Sequence, residues 1–287
     1  MFTKRTVRDR VVLVTGGTAG IGAAVVTRLL AEGATVVTCA RDETRLRAAG
    51  VHAVPCDLTD PRQRGELVDH VVERYGRLDA LVNNAGQGRV GLFTQLDTEA
   101  VQAMVDLNVV AVADLTRRAL PHLADRRGDV VMISSLAGVV PVPPLAMYSA
   151  TKAAVDGLVH GLRREVPHGV RIHTVEPGPV RTEWLLRAGG LRPTAEEGRR
   201  GRSFGAGPDQ VADEVYRCLT GHGHRTVAVP RWLGPARLAA VPPFSVVLDL
   251  ALAPVAPLVA RWTRRYQSEL VSRARGEQQH HVEDRDD

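Results

Sequence analysis

Short runs of apolar, β-branched residues alternate along the chain with longer segments in which apolar positions recur every three to four residues. The runs Arg10–Thr15, Thr35–Cys39, Ala53–Cys56, Ala80–Val82, Val130–Ser134 and Arg171–Val175 read as strands, with a last one at Thr226–Val229. The segments Gly20–Glu32, Pro61–Tyr75, Thr98–Leu123 and Tyr148–Val166 carry the helical period. Strands apolar on both faces belong to a sheet covered on both sides, and their alternation with helices makes that sheet parallel. Right-handed crossovers then predict a doubly wound α/β sheet in three layers, with ligands at the carboxyl ends of the strands. The 287 residues suit one such domain over 1–230, an apolar and basic extension over 231–275, and a polar tail at 276–287 expected to be disordered.

Two local patterns bring chemistry onto this frame. Thr15-Gly16-Gly17-Thr18-Ala19-Gly20-Ile21-Gly22 follows the first strand and opens the first helix. Glycines there let the backbone turn tightly and approach a pyrophosphate resting on the positive end of the helix. Further on, Tyr148 and Lys152 stand one helical turn apart, so phenol and ammonium project from one face. A cation beside a phenol lowers its pKa, as a proton donor working near neutral pH requires. Only Lys4 and Lys152 are lysine among 37 cationic side chains. In so arginine-rich a chain, Lys152 marks a place for a compact ammonium that a guanidinium cannot replace.

With these motifs the chain resembles the short-chain dehydrogenase/reductase family over about residues 8–230. The glycine segment resembles the family's Thr-Gly-x-x-x-Gly-x-Gly loop, and Asn83-Asn84-Ala85-Gly86 its Asn-Asn-Ala-Gly motif after the fourth strand. Asn108, Ser135, Tyr148 and Lys152 match its catalytic tetrad, and Pro177-Gly178-Pro179-Val180-Arg181-Thr182 its nicotinamide loop. The resemblance implies a Rossmann-like fold and a nicotinamide-dependent oxidoreductase. Tyr148 would be the general acid or base, Lys152 would lower its pKa and hold the ribose, and Ser135 would bind the substrate oxygen. Asn108 would hold a helix irregularity and anchor a water on a proton relay, with Ser134 in a supporting role. The cofactor would be held by Gly16, Thr18, Gly20, Ile21, Gly22, Asp57, Leu58, Asn84, Ala85, Gly86, Tyr148, Lys152, Pro177, Gly178, Val180 and Thr182.

The second strand ends Cys39-Ala40-Arg41-Asp42, where an NAD enzyme would place an acid for the ribose hydroxyls. Arg41 suits a 2′-phosphate instead, so NADP(H) is the expected cofactor and NAD(H) the second choice. The glycine loop itself carries no basic residue, and Asp42 is an alternative ribose ligand. Val142 and Leu145, in a proline-stiffened apolar loop, and Trp184 and Leu185 after the nicotinamide loop form the expected wall for a hydrophobic carbonyl or alcohol. The family resemblance makes these apolar residues the pocket wall and the Gly- and Arg-rich Arg187–Pro208 the expected lid.

Composition narrows the classes. The formal charge is +5, but acidic and basic residues interleave and no aromatic platform accompanies the arginines, so no nucleic-acid partner is expected. Cys39, Cys56 and Cys218 are too few and too dispersed for a disulfide framework, and no metal site is expected. The amino terminus has no apolar signal core, which points to the cytoplasm. Leu238–Ala260 is apolar but broken by four prolines, so it reads as a pocket cap, an oligomer contact or a shallow peripheral membrane contact rather than a span. The family resemblance implies a homo-oligomer through the two long helices, Thr98–Leu123 and Tyr148–Val166. Two other functions stay open: a 3-oxoacyl carrier-protein reductase, with Arg117-Arg118 and Arg126-Arg127 meeting an acidic carrier, and a non-catalytic dinucleotide sensor.

Overall fold

A computed structural model of the chain describes residues 5–48, 50–166, 168–189 and 205–241, with scattered positions between 245 and 265. One parallel sheet organises it: β1 (Val11–Thr15), β2 (Thr35–Ala40), β3 (His52–Pro55), β4 (Ala80–Asn83), β5 (Asp129–Ile133), β6 (Arg171–Pro177) and β7 (Thr226–Val229). Their spatial order is β3-β2-β1-β4-β5-β6-β7, so the winding reverses between β1 and β4. That switch point opens a crevice at the carboxyl ends of these two strands.

The helices are α1 (Gly20–Ala31), α2 (Glu43–Ala48), α3 (Pro61–Tyr75), α4 (Thr98–Val105), α5 (Ala111–Asp125), α6 (Leu136–Val139), α7 (Ala146–Glu165), α8 (Trp184–Ala188) and α9 (Pro208–Thr220). Period-two alternation along the strands divides the core. Val11 and Leu13 join Leu67, Val71, Leu115 and Val159 from α3, α5 and α7. Val12 and Val14 join Val25, Leu29, Val211 and Val215 from α1 and α9. Each such side chain, fully buried, stabilises the fold by about 1.5–3 kcal/mol.

Polar clusters lock the layers. Asp114 on α5 accepts from Arg64 of α3 and from Arg117 and Arg118 of its own helix. At the amino-terminal ends of the strands, fully buried Asp129 accepts from Arg10, Arg171 and His173.

The sequence pattern places β3 and β5 one residue late and misses α2, whose six residues are too short to show a period. The predicted helix at Thr98–Leu123 is not continuous: a π turn, Asp106–Val110, separates α4 from α5. Helix α7 begins at Ala146, two residues before the expected Tyr148. Beyond β7, residues Arg231–Ala240 form a 3₁₀ helix whose Arg237 binds buried Glu176 on β6. The extension thus starts as part of the domain surface. Most of the expected lid, and the tail at 276–287, lie outside the described residues.

Candidate active site

The glycine loop leaves β1 by a left-handed Gly16, φ 65°, whose N–H donates to Cys39 O at 3.0 Å. A side chain at Gly17 would meet Thr38 Oγ1 at 2.3 Å, and one at Gly22 would meet Gly16 O at 2.2 Å. The close approach of loop, strand and helix therefore requires glycine at both positions. Ala19 precedes α1 with no side-chain cap, which leaves the first-turn N–H groups, Ile21 and Gly22 among them, to an outside acceptor. Such an end accepts a phosphate. The loop, its uncapped helix and the switch point together fit a dinucleotide.

The flanking segments frame the same crevice. Asn84 Nδ2 donates to Thr15 O at 2.9 Å, and the Asn84 and Ala85 N–H groups both reach Thr15 Oγ1 at 3.0 Å, tying β4 to the loop. Pro177 ends β6, Gly178 N donates to Val229 O, and Val180 pairs with Ala206. The Thr182 side chain comes within 3.4 Å of where a Gly20 side chain would begin, so this loop lies against the glycine loop at the crevice. Arg41 is exposed at the end of β2, on a groove shared with Thr59, Gln87 and Gln102. Burial works against the Asp57 carboxylate, but the Thr59 N–H and hydroxyl, with Arg41 nearby, hold its pKa below the ordinary value. The Leu58 side chain belongs instead to the core under α3. Thr18 is half-buried in the loop.

The tetrad residues converge at the ends of β4 and β5. Asn108, fully buried in the π turn, accepts from Gln87 N at 2.9 Å and donates to Gln87 O at 2.8 Å and Thr151 Oγ1 at 3.0 Å. The widened turn is what aims this amide back at the strand-β4 loop. Ser135 Oγ caps α6 by accepting from Ala137 N, donates to Pro177 O at 3.4 Å, and lies near enough to the Tyr148 phenol to lower its pKa. Lys152 Nζ donates to Ile133 O at 2.8 Å and faces Gly86, and Ser134 Oγ reaches Lys152 O at 3.4 Å.

One expectation is reversed. Burial pushes the Tyr148 phenol up to about 12, against a lowering influence from Ser135. Burial also draws Lys152 down to about 8, with Asp156 opposing. Burial outweighs the ammonium here: Lys152 Nζ, hydrogen-bonded to the Ile133 carbonyl, stands 5.8 Å from the ring centroid, yet the phenol moves up.

Trp184 packs against Tyr148 with centroids 4.7 Å apart and the rings tilted by 51°, and its indole fills the space where a Gly88 side chain would begin, 2.4 Å from Cζ2. The segment after β4 is tied to the proline loop by Gly91 N on Pro144 O, and to α8 by Val90 N on Ala188 O. Leu145 is half-buried there, while Val142 and Leu185 are exposed. The sequence reading missed Gly88, Val90 and Gly91 as a third wall; Gly88 directly after Gly86-Gln87 was the available signal.

Fold and site together define a nicotinamide-nucleotide oxidoreductase. The profile of the family described as short chain dehydrogenase matches residues 10–188, and the chain belongs to that family. It is an NAD(P)-dependent enzyme acting on CH–OH groups. L-fucose dehydrogenase of Bos taurus is 38% identical over 180 residues, 60% of this chain and 67% of that one. A Streptomyces violaceoruber protein, named provisionally as ketoacyl reductase 2 of the granaticin polyketide synthase, is 37% identical over 218 residues, 71% and 87% of the two chains. A Burkholderia phymatum member of the family, solved with NAD, shares the fold at TM-score 0.70 and 24% identity, covering 83% of this chain and 92% of that one.

Proposed function

We propose that the protein is an NADP(H)-dependent ketoreductase or secondary-alcohol dehydrogenase for a hydrophobic substrate. The observation that carries this reading is the gathering of Ser135, Tyr148 and Lys152 beside Gly86 at the end of β4, with Trp184 packed on the phenol. When bound, the nicotinamide supplies or takes the hydride. In the reducing direction Ser135 orients the carbonyl oxygen and Tyr148 gives it a proton, so carbonyl, hydride and proton become the alcohol. The Tyr148 phenol carries its proton at neutral pH, and the work left to bound substrate and nucleotide is to bring its pKa down toward the operating pH. Lys152 holds the ribose with N–H donors left over from Ile133, and Asn108 anchors a water that returns the proton from solvent.

Arg41 supports NADP(H) over NAD(H) because it is an exposed guanidinium where a 2′-phosphate would lie. Residues 1–230 act as the catalytic unit. Exposed Trp232, Leu238 and Val241 support a peripheral contact by the extension, and the family resemblance alone suggests a homo-oligomer through α4, α5 and α7. Pelleting with anionic vesicles, and chromatography with light scattering, test these two points; a protein that stays in the supernatant or runs as a monomer refutes the respective one. A carrier-bound 3-oxoacyl substrate is the second reading, prompted by the Streptomyces relative. Arg117 and Arg118, however, are committed to Asp114, which weakens the carrier surface.

The decisive experiment is nicotinamide absorbance across a panel of free and carrier-bound ketones and their alcohols, with NADPH and NADH in parallel. Turnover should fall at least about a hundredfold in Tyr148→Phe, as expected for loss of a general acid. Undiminished turnover in that variant would remove Tyr148 from the mechanism.

A further inference from the structure

The face of α7 that carries Tyr148 and Lys152 continues one turn further to Asp156. Both Oδ atoms of Asp156 are closed off from solvent without a well-formed hydrogen bond. The Ser134 hydroxyl is near enough to steady this carboxylate, but its own 3.4 Å bond goes to Lys152 O. A carboxylate so placed depends on surrounding charge. That charge comes from three elements. Lys152 precedes it by a turn on α7, and Arg163 follows by two. Glu176, buried near the end of β6, faces it with the same sign. Arg237, from the 3₁₀ helix after β7, binds Glu176 Oε2 through Nε at 2.9 Å and Nη2 at 2.6 Å, and its charge also reaches Asp156.

We propose that Asp156 is a positioning residue of the catalytic pair: its negative charge keeps buried Lys152 an ammonium, and Glu176 with Arg237 sets how much of that charge Asp156 carries. Burial first, then Glu176, pushes Asp156 up to about 7, while Arg237 and Lys152 pull the other way. Asp156 is thus the group whose protonation changes near neutral pH. A proton taken there withdraws support from Lys152, and the stretch following β7 enters the electrostatics of the site through Arg237.

The proposal rests on the catalytic reading only for the role of Lys152. Its test needs neither substrate nor nucleotide, so the two can fail separately. Lys4→Arg leaves Lys152 as the sole lysine, and ¹³C-lysine labelling then follows one side-chain titration by NMR. Asp156→Asn should lower its midpoint by about one pH unit, the usual effect of losing a close opposite charge. Glu176→Gln removes a like charge facing Asp156 and should raise the midpoint, by roughly half a unit. A merely structural role would not move the two in opposite directions. A midpoint unmoved by Asp156→Asn, or lowered by both substitutions, overturns the proposal. If Asp156→Asn fails to fold, Glu176→Gln decides alone: an unmoved or lowered midpoint overturns it.

Discussion

Replacing Asn108 by alanine should cost stability as well as activity, and the stability share follows from its bonds. The side chain is fully buried and serves both the N–H and the C=O of Gln87. Alanine orphans those two backbone groups, at about 1–3 kcal/mol each. Thr151 is not orphaned, since its hydroxyl keeps its own 2.7 Å bond to Tyr148 O. Water entering the vacated space recovers part of the loss, leaving about 3 kcal/mol. For a domain of this size that lowers Tm by about 6–12 °C, readable by calorimetry or circular dichroism. A drop of about 2 °C or less would mean that Asn108 does not hold the Gln87 segment. Asn108→Asp sharpens the test. One carboxyl oxygen still accepts from Gln87 N–H, but the other meets the Gln87 carbonyl unless it carries a proton. The folded pKa is then raised above the unfolded value of about 3.9. Stability is therefore nearest wild type below that value and is lost as pH rises through the folded pKa. A penalty constant from acid to neutral pH would refute the assignment of donor and acceptor.

Three further outcomes are expected. Arg41→Asp should shift the ratio of kcat/KM for NADPH over NADH toward NADH by about tenfold or more, since a charge-assisted phosphate contact is replaced by repulsion; an unchanged ratio removes Arg41 from the cofactor site. Gly88→Ala places a methyl 2.4 Å from Trp184 Cζ2 and must push the indole off Tyr148. It should raise substrate KM while nucleotide affinity, measured by fluorescence titration, stays constant; a loss confined to nucleotide binding would contradict the placement of Trp184. Asp129→Ala strips the shared acceptor from Arg10, Arg171 and His173 and should cost about 3–5 kcal/mol in urea unfolding, with little change in nucleotide affinity. A loss under about 1 kcal/mol would show that those cations find other partners.

What was legible in the chain was what a short window of sequence determines. A tight turn between strand and helix demands glycine at Gly16, and one helical turn separates Tyr148 from Lys152 wherever the helix lies, so the parallel sheet, its crevice and this pair followed from local pattern, while Asn108 and Ser135 came from the family resemblance. The electrical state of those residues is not local. Lys152 donates a hydrogen bond to Ile133 O, nineteen residues away, and the phenol is covered by Trp184 from helix α8, still farther along. The spacing that predicted an acidified phenol therefore describes which groups share a face, whereas burial decides which way each pKa moves. The same division explains why Asp156 went unnoticed. A lone acid on a helix normally faces water. Only the arrival of Glu176 from β6, and of Arg237 from beyond the last strand, makes it a group whose proton matters to the lysine beside it. Protonation in this site is thus a property of the assembled sheet and its trailing 3₁₀ helix, and a substitution after β7 can reach the chemistry without touching substrate or nucleotide.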